Sequence, residues 1–442
     1  MEIRKFAFPL PLIVFFILAI FYTFYSIDYA VSRDFFIHVA GYTVIFFLVS
    51  QIFSQKEGRW IAFAVVTLGI LTSLYGLYQY LWGFEGLIDK IEGAETLPLS
   101  VSSLVGDIIG RLEGRRVFAT FLLPSHFAAF LGVSIPVSAA FVLTSKGRLK
   151  YLFGMAVAAQ VFALYLTKSF SGWLSLILAC GVFAFIYLGS IKRVKKRYLV
   201  ASFGCLVLVL ALIFAGLSLT RPDNPFASVA NNPAVLRVLN WGATIEMIKD
   251  APVLGKGLHT FGFVYPSYQR TGVNIIHHTH NTYLQLGVEM GIVGTIVFLW
   301  FACWWFWRTL YVFRESKGKT SMIWTGALMV AGMAFFIHHA FDFEFYLPGV
   351  TLAGFAVLAV AVGVRRQDKV YHIAVRGKGK TLYPVLGFMG AIMISLLVLL
   401  PFYGQVHFQR AKSLLESKID FTRGAALELE KAIRLDPRNS QY

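Results

Sequence analysis

The stretch YLFGMAVAAQVFALYLTKSFSGWLSLILACGVFAFIYLGSIKRVKKRY, residues 151–198, decides the fold class. It holds two apolar runs of the length an α-helix needs to cross a hydrocarbon core, separated by a short polar turn and closed by a dense basic cluster. The same pattern recurs along all 442 residues, of which 57% are hydrophobic and 14% charged. That is more apolar material than a soluble core of this size needs, so lipid must supply much of the solvent. Segmentation gives eleven spans, near 7–25, 35–53, 60–82, 121–143, 151–167, 172–189, 199–219, 284–307, 321–340, 346–363 and 383–401. The expected fold is all-α, a polytopic bundle of about 11 to 12 spans with a large, partly helical loop and a short helical tail.

The first run follows Arg4 and Lys5, but Phe21, Tyr22, Phe24 and Tyr25 stand where a signal peptide would carry small residues, so it reads as an uncleaved span. The three cysteines, Cys180, Cys205 and Cys303, lie inside apolar runs and read as small core residues. A net charge of +17 would suit nucleic acid. Here the basic residues sit in alternate short connections, and they are topology determinants. With the N-terminus cytoplasmic, the inner connections are 54–59, 144–150, 191–198, 308–319 and 364–380, which hold the densest basic stretches, IKRVKKRY and VRRQDKVYHIAVRGKGK. The opposite face receives the loops 83–120 and 220–283 and the C-terminal tail. Arg115, Arg116, Arg237, Lys256 and Arg270 fall there, where orientation does not require them, and anion binding is the simplest reason for them.

In the large loop, Asn231, Asn232 and Pro233 read as a helix start and Asp250, Ala251 and Pro252 as its stop. Arg237 and Trp241, four apart, share one face of this helix, and Ile245 and Ile248 continue an apolar stripe suited to a membrane surface. In GKGLHTF, Gly255 and Gly257 flank Lys256, as in a turn whose amides approach an anion, although a plain tight turn has the same sequence. Then comes HHTHNTYLQLGVEMGIVG, 277–294. His280 suits a general base, with an interfacial histidine cluster as the bland reading. A zinc site is disfavoured by the two-residue spacing of His278 and His280 and by the lack of a cysteine partner or HExxH motif. Glu289, nine residues on, falls inside the bilayer, where carboxylates are costly and are functional or paired.

At these residues the chain resembles the bacterial O-antigen ligase and polymerase superfamily, membrane glycosyltransferases that use polyprenyl-diphosphate-linked glycans. The family pattern is His, then Asn, Ser or Gln, nine residues, and Gly-x-x-Gly, and here it is His280, Asn281, nine residues, Gly291 and Gly294. RVLNWGATIEMIKDAPVLGKGLHTF resembles the family's arginine, helix and glycine turn, which gives Arg237 the loop-arginine role. RRVFATFLLPSHFAAFL resembles the segment whose arginine reaches the donor diphosphate, with Arg116 favoured over Arg115 and both open. FDFEFYLP resembles a recurring acidic-aromatic turn and offers Asp342. The chain departs from the pattern at Lys168–Gly172, where relatives carry Ser-Arg-Gly; Lys168 offers a point charge without the bidentate fork.

The resemblance implies a donor glycan on undecaprenyl diphosphate at the periplasmic face of the bacterial inner membrane. Attack by an acceptor hydroxyl expels a lipid diphosphate, so charge must be stabilised and a proton removed. Arg116 and Arg237 are assigned to the diphosphate and His280 to the proton. Asn281 is placed to orient His280, with His278, Arg115, Lys256, Arg270, Trp241, Lys168 and Asp342 as further substrate contacts. No metal and no cofactor is expected. The acceptor is lipid A core in a ligase, the reading favoured, or a growing glycan or a protein side chain; a solute transporter using Asp34, Asp342 and Glu344 is the rival class.

The domain reading is a transmembrane unit over 1–401 and a periplasmic tail over 402–442. In the tail, Ala425, Ala426, Leu429, Ala432, Ile433 and Leu435 fall at helical spacing and AIRLDPRNSQY resembles part of a tetratricopeptide repeat. One repeat cannot bury its own apolar face, so the tail is expected to pack on the loop, on further chain or on a protein partner.

Overall fold

The computed structural model describes residues 2–4, 9–52, 55–86, 112, 114–189, 204, 233–270, 276–363, 370–372, 407, 410–411 and 422–435. Ten helices of membrane or loop length and one in the tail carry the architecture: α1 (Leu10–Tyr25), α2 (Tyr29–Ile52), α3 (Gln55–Tyr78), α4 (Pro124–Thr144), α5 (Arg148–Leu166), α6 (Phe170–Gly189), α7 (Pro233–Asp250), α8 (Thr282–Arg314), α9 (Lys319–His338), α10 (Pro348–Val362) and α11 (Thr422–Leu435). Among the described residues seven are long and apolar enough to cross a membrane, and α1 and α10 are shorter apolar helices. The chain is therefore an all-helical, multi-pass membrane protein, with one small addition to the expected class: Glu2–Arg4 pairs antiparallel with Val370–His372. The expected spans at 199–219 and 383–401 lie outside the described residues, as does most of the tail.

The helices sort by what surrounds them. α4 and α9 pack along one another and against α6, and both are buried over most of their length. α3 turns Leu68, Leu71, Leu74 and Tyr78 outward, with Trp60 and Trp82 exposed at its two ends, the arrangement of a lipid-facing helix anchored at both interfaces. Between α4 and α5, Gln160 donates to Ser138, a polar tie of the kind that joins helices where no hydrophobic force separates them from lipid. Cys180 and Cys303 do not sit in the core as expected; both are exposed on the outside of the bundle. In a bilayer the outer face is as apolar as the interior, so hydrophobic surroundings did not distinguish the two.

α8 is broken at Gly291, whose φ of 62° and ψ of −166° leave the helix. The break frees the carbonyls of Val288 and Glu289, which accept from the amides of Lys256 and Gly257, and the Ile292 amide donates to the Pro252 carbonyl. A Cβ at Gly291 would overlap the Val253 carbonyl, so only glycine permits the loop to dock here. The first glycine of Gly-x-x-Gly thus makes a socket for the 252–257 turn. The amides of that turn are consumed inside the protein, which corrects the expectation of an anion-binding nest around Lys256.

Candidate functional site

The loop helix runs Pro233–Asp250, between its expected start and stop. Its inward face is Asn240, Ala243, Thr244 and Met247, which pack with Phe261, Tyr265 and Val288. Ile248 joins this cluster while Ile245 stays exposed, so the expected stripe of the two is divided between protein and surroundings. Trp241 shares a face with Arg237 but donates its indole N–H to the Thr279 carbonyl at 2.9 Å. It acts as a brace on the histidine segment.

His280 sits at the entrance to α8 with φ of 53°, a left-handed conformation that costs a non-glycine residue energy and is held by its neighbours. The holding contacts are several. The Thr279 amide donates to Gln285 Oε1, the Asn281 amide to Thr279 Oγ1, and the Thr282 amide to the carbonyls of His339 and Asp342. Asn281 is the helix cap, accepting from the Leu284 amide, and not the group that orients His280. That group is Asp342, whose Oδ1 lies 2.9 Å from His280 Nδ1. Asp342 is fully buried, whereas His280 is 28% exposed. With Nδ1 so engaged, Nε2 is the ring nitrogen of His280 turned away from Asp342.

Burial alone would raise the Asp342 carboxyl, but the charge and hydrogen bond of His280, with the charges of His126 and Arg237, hold it well below the usual carboxylate range. Arg237, half-buried on α7, therefore acts on the same centre. His126 Nε2 stands 3.9 Å from Asp342 Oδ1, and His338 Nδ1 stands 2.8 Å from Glu344 Oε1. Burial pushes Glu344 up, opposed by His338 and assisted by Asp342. His126, Asp342 and Glu344 offer ligand atoms within 4.8 Å of one another. The donor set suits a cation poorly, because His280 and His338 already engage the two carboxylates and Arg237 adds positive charge to the centre.

His278 is stacked on Phe343 at 4.1 Å, and His259 on Phe35 at 4.9 Å. Burial pushes His278 down to about 3 and His259 to about 4, so both are neutral packing groups at pH 7. Arg270 lays its guanidinium against Gly242 of α7, and nothing brings it to Asp342.

The second arginine region forms around the end of α5. Arg115, with φ of 45°, pairs with Glu85 at 3.0 Å in an exposed position. Arg116 Nε donates to the Thr167 carbonyl, and Lys168 Nζ to the Gly114 carbonyl at 2.9 Å. Gln79, in a five-residue π segment, accepts from the amides of Phe118 and Ala119 and fixes the loop. This loop reaches the His280 centre through His126 at the start of α4, whose ring also meets Phe343 at 4.8 Å. His126, Gln285, His338 and Tyr346 were not singled out in the sequence. Their partners are distant in the chain, and only His338–His339 directly before the acidic turn gave a local sign.

A family model described as O-antigen ligase matches residues 155–299, from within α5 to within α8. The match includes Arg237, His280, Glu289 and Gly291 and ends before Asp342. No curated protein sequence matches the chain. Over this third of the chain, which carries His280 and the broken helix behind it, the sequence is similar to the O-antigen ligase family.

Proposed function

We propose that this protein transfers a glycan from undecaprenyl diphosphate to an acceptor hydroxyl at the periplasmic face of the bacterial inner membrane, with lipid A core as acceptor. The observation that carries the proposal is the buried carboxylate of Asp342 on His280 Nδ1 at 2.9 Å. It fixes the imidazole with Nε2 directed to a substrate proton. The acceptor oxygen bonds to the anomeric carbon as that carbon's bond to the diphosphate oxygen breaks. The hydroxyl proton passes to His280 Nε2, and a single displacement inverts the anomeric centre. Asp342 stays ionised throughout and stabilises the imidazolium.

Arg237 is suited to the departing diphosphate, because its charge already falls on the His280–Asp342 centre. Of the open pair, Arg116 is taken as the second donor, as the resemblance of RRVFATFLLPSHFAAFL to the family's diphosphate segment favours. Two guanidinium groups supply the charge for which other transferases use a divalent cation. Lys168, Lys256, His278 and Arg270 receive no role in transfer. The transporter alternative is weaker: Asp34 is exposed and paired with the neighbouring Arg33, and Asp342 and Glu344 are engaged at one end of the bundle.

The test is transfer by purified protein from a labelled polyprenyl-diphosphate glycan to lipid A core, to glycan and to peptide acceptors. His280→Ala is expected to abolish transfer, Asp342→Asn to lower it by about a hundredfold or more, and Cys303→Ala to leave it unchanged. A fully active His280→Ala would remove the general base from the mechanism. Loss of transfer in EDTA would overturn its metal-free part, and transfer to glycan or peptide in preference to lipid A core would reassign the acceptor.

A further inference from the structure

Glu289 is a fully buried carboxylate two turns into α8, and the transfer chemistry does not use it. Its cost in that setting is met by donors from three separate parts of the chain. Oε2 accepts from the His259 amide at 2.8 Å and from the Tyr346 hydroxyl at 2.8 Å. Oε1 accepts from Gln285 Nε2 at 3.0 Å. One side chain therefore joins the turn after the loop helix, the first turns of α8 and the segment that follows Asp342 and Glu344.

The route from Glu289 to the base is short. Gln285, held through its Nε2, presents Oε1 to the Thr279 amide at 3.2 Å, and the same side chain meets His278 Nδ1. The Thr279 amide is the last backbone donor before the left-handed His280. Tyr346 is four residues beyond Asp342, so the carboxylate also fixes the far side of the His280–Asp342 pair. A neutral amide in place of the carboxylate would keep the volume, but it would turn an N–H₂ toward at least one of the three donors.

We propose that Glu289 is a positioning residue: through Gln285 and Tyr346 it clamps the strained His280 backbone and the Asp342 turn in register. This rests on the assignment of His280 as general base. Loss of the clamp lets the imidazole drift, which lowers the rate of the chemical step without removing a substrate contact.

The experiment compares Glu289→Gln, Glu289→Asp and Tyr346→Phe with the parent in full-length protein. It measures transfer kinetics, the pH profile of kcat, and hydrogen exchange of the peptide spanning residues 277–283. Glu289→Gln is expected to lower kcat on the order of 10- to 100-fold with the donor KM within about threefold. The acid limb of the pH profile should stay in place, because the titrating pair is unchanged, and the 277–283 amides should exchange faster. Glu289→Asp is expected to recover part of the rate. Tyr346→Phe, which removes one hydroxyl, should show a smaller loss of the same kind, and adding it to Glu289→Gln should cost little more.

Parental kcat and parental exchange in Glu289→Gln would overturn the proposal. So would a loss confined to donor KM, which makes Glu289 a binding group, or a displaced acid limb, which makes it a titrating one. Should Glu289→Gln fail to fold, parental kcat and exchange in Tyr346→Phe would overturn it equally. An inactive His280→Ala beside a parental Glu289→Gln rejects the clamp and keeps the base. An active His280→Ala rejects the base, and the exchange measurement still decides whether Glu289 holds the segment.

Discussion

His280 is exposed enough to meet substrate, and its orientation comes from a carboxylate 62 residues further along the chain. Two other histidines of the same region are put to a different use. His259 and His278 are held neutral by burial, with values of about 4 and about 3, against an ordinary value near 6.5. Between those limits the unfolded chain binds protons that the folded protein refuses, so stability falls as pH is lowered from about 6.5. Each such group contributes a slope of up to about 1.4 kcal/mol per pH unit in that window. Replacing His259 with Phe, which keeps a ring against Phe35 and Tyr346, is expected to flatten the acid side of a plot of Tm against pH in detergent. An unchanged slope would show that His259 is not the source. The sequence made His280 legible as a candidate base, because its type and its position after a long loop carry chemistry. It could not show that His278 is stacked among rings or that Asp342 rather than Asn281 meets the His280 ring, since both facts depend on rings and carboxylates brought in by later helices.

At the scale of elements, the break in α8 explains a pattern that spacing alone presents as a motif. Gly291 lies eleven residues after His280, and its positive φ lets the 252–257 turn donate into freed carbonyls of Val288 and Glu289. Gly291→Ala is expected to destabilise the fold by about 1–3 kcal/mol from backbone strain, and more from overlap with the Val253 carbonyl. Thermal unfolding in detergent would measure it. Gly318→Ala, at a positive φ with open space around it, should show only the strain component. A Gly291→Ala protein as stable as Gly318→Ala would deny the socket its role. The helix over 233–250 was legible from an asparagine–proline start and a proline stop, which are local signals. The fate of the Lys256 and Gly257 amides was not, because their acceptors are about thirty residues away on another helix.

Across the whole molecule, apolar length located the helices, while composition left open which faces meet lipid and which meet protein. α4 is buried on nearly every side and α3 is largely exposed, although their mean hydropathies are close, at 2.0 and 1.9. The outward Cys180 and Cys303 reflect the same ambiguity. Charge placement makes a further prediction, that the end bearing His280 faces the periplasm and the α8–α9 turn the cytoplasm. In a background free of native cysteines, Lys249→Cys is expected to react with a membrane-impermeant maleimide in intact spheroplasts. Lys317→Cys should react only after permeabilisation. The reverse pattern would invert the topology and place the donor on the wrong leaflet.

The bond from His280 to Asp342 also has a bearing on biosynthesis. Residues 277–294 leave the ribosome before the turn that orients the imidazole has been made, and the Thr282 amide likewise waits for the carbonyls of His339 and Asp342. A nascent chain that has inserted α8 alone therefore carries His280 without Asp342. On the proposed mechanism, transfer is expected only once α9 has crossed and its following turn has docked, which ties the onset of activity to a late step of insertion.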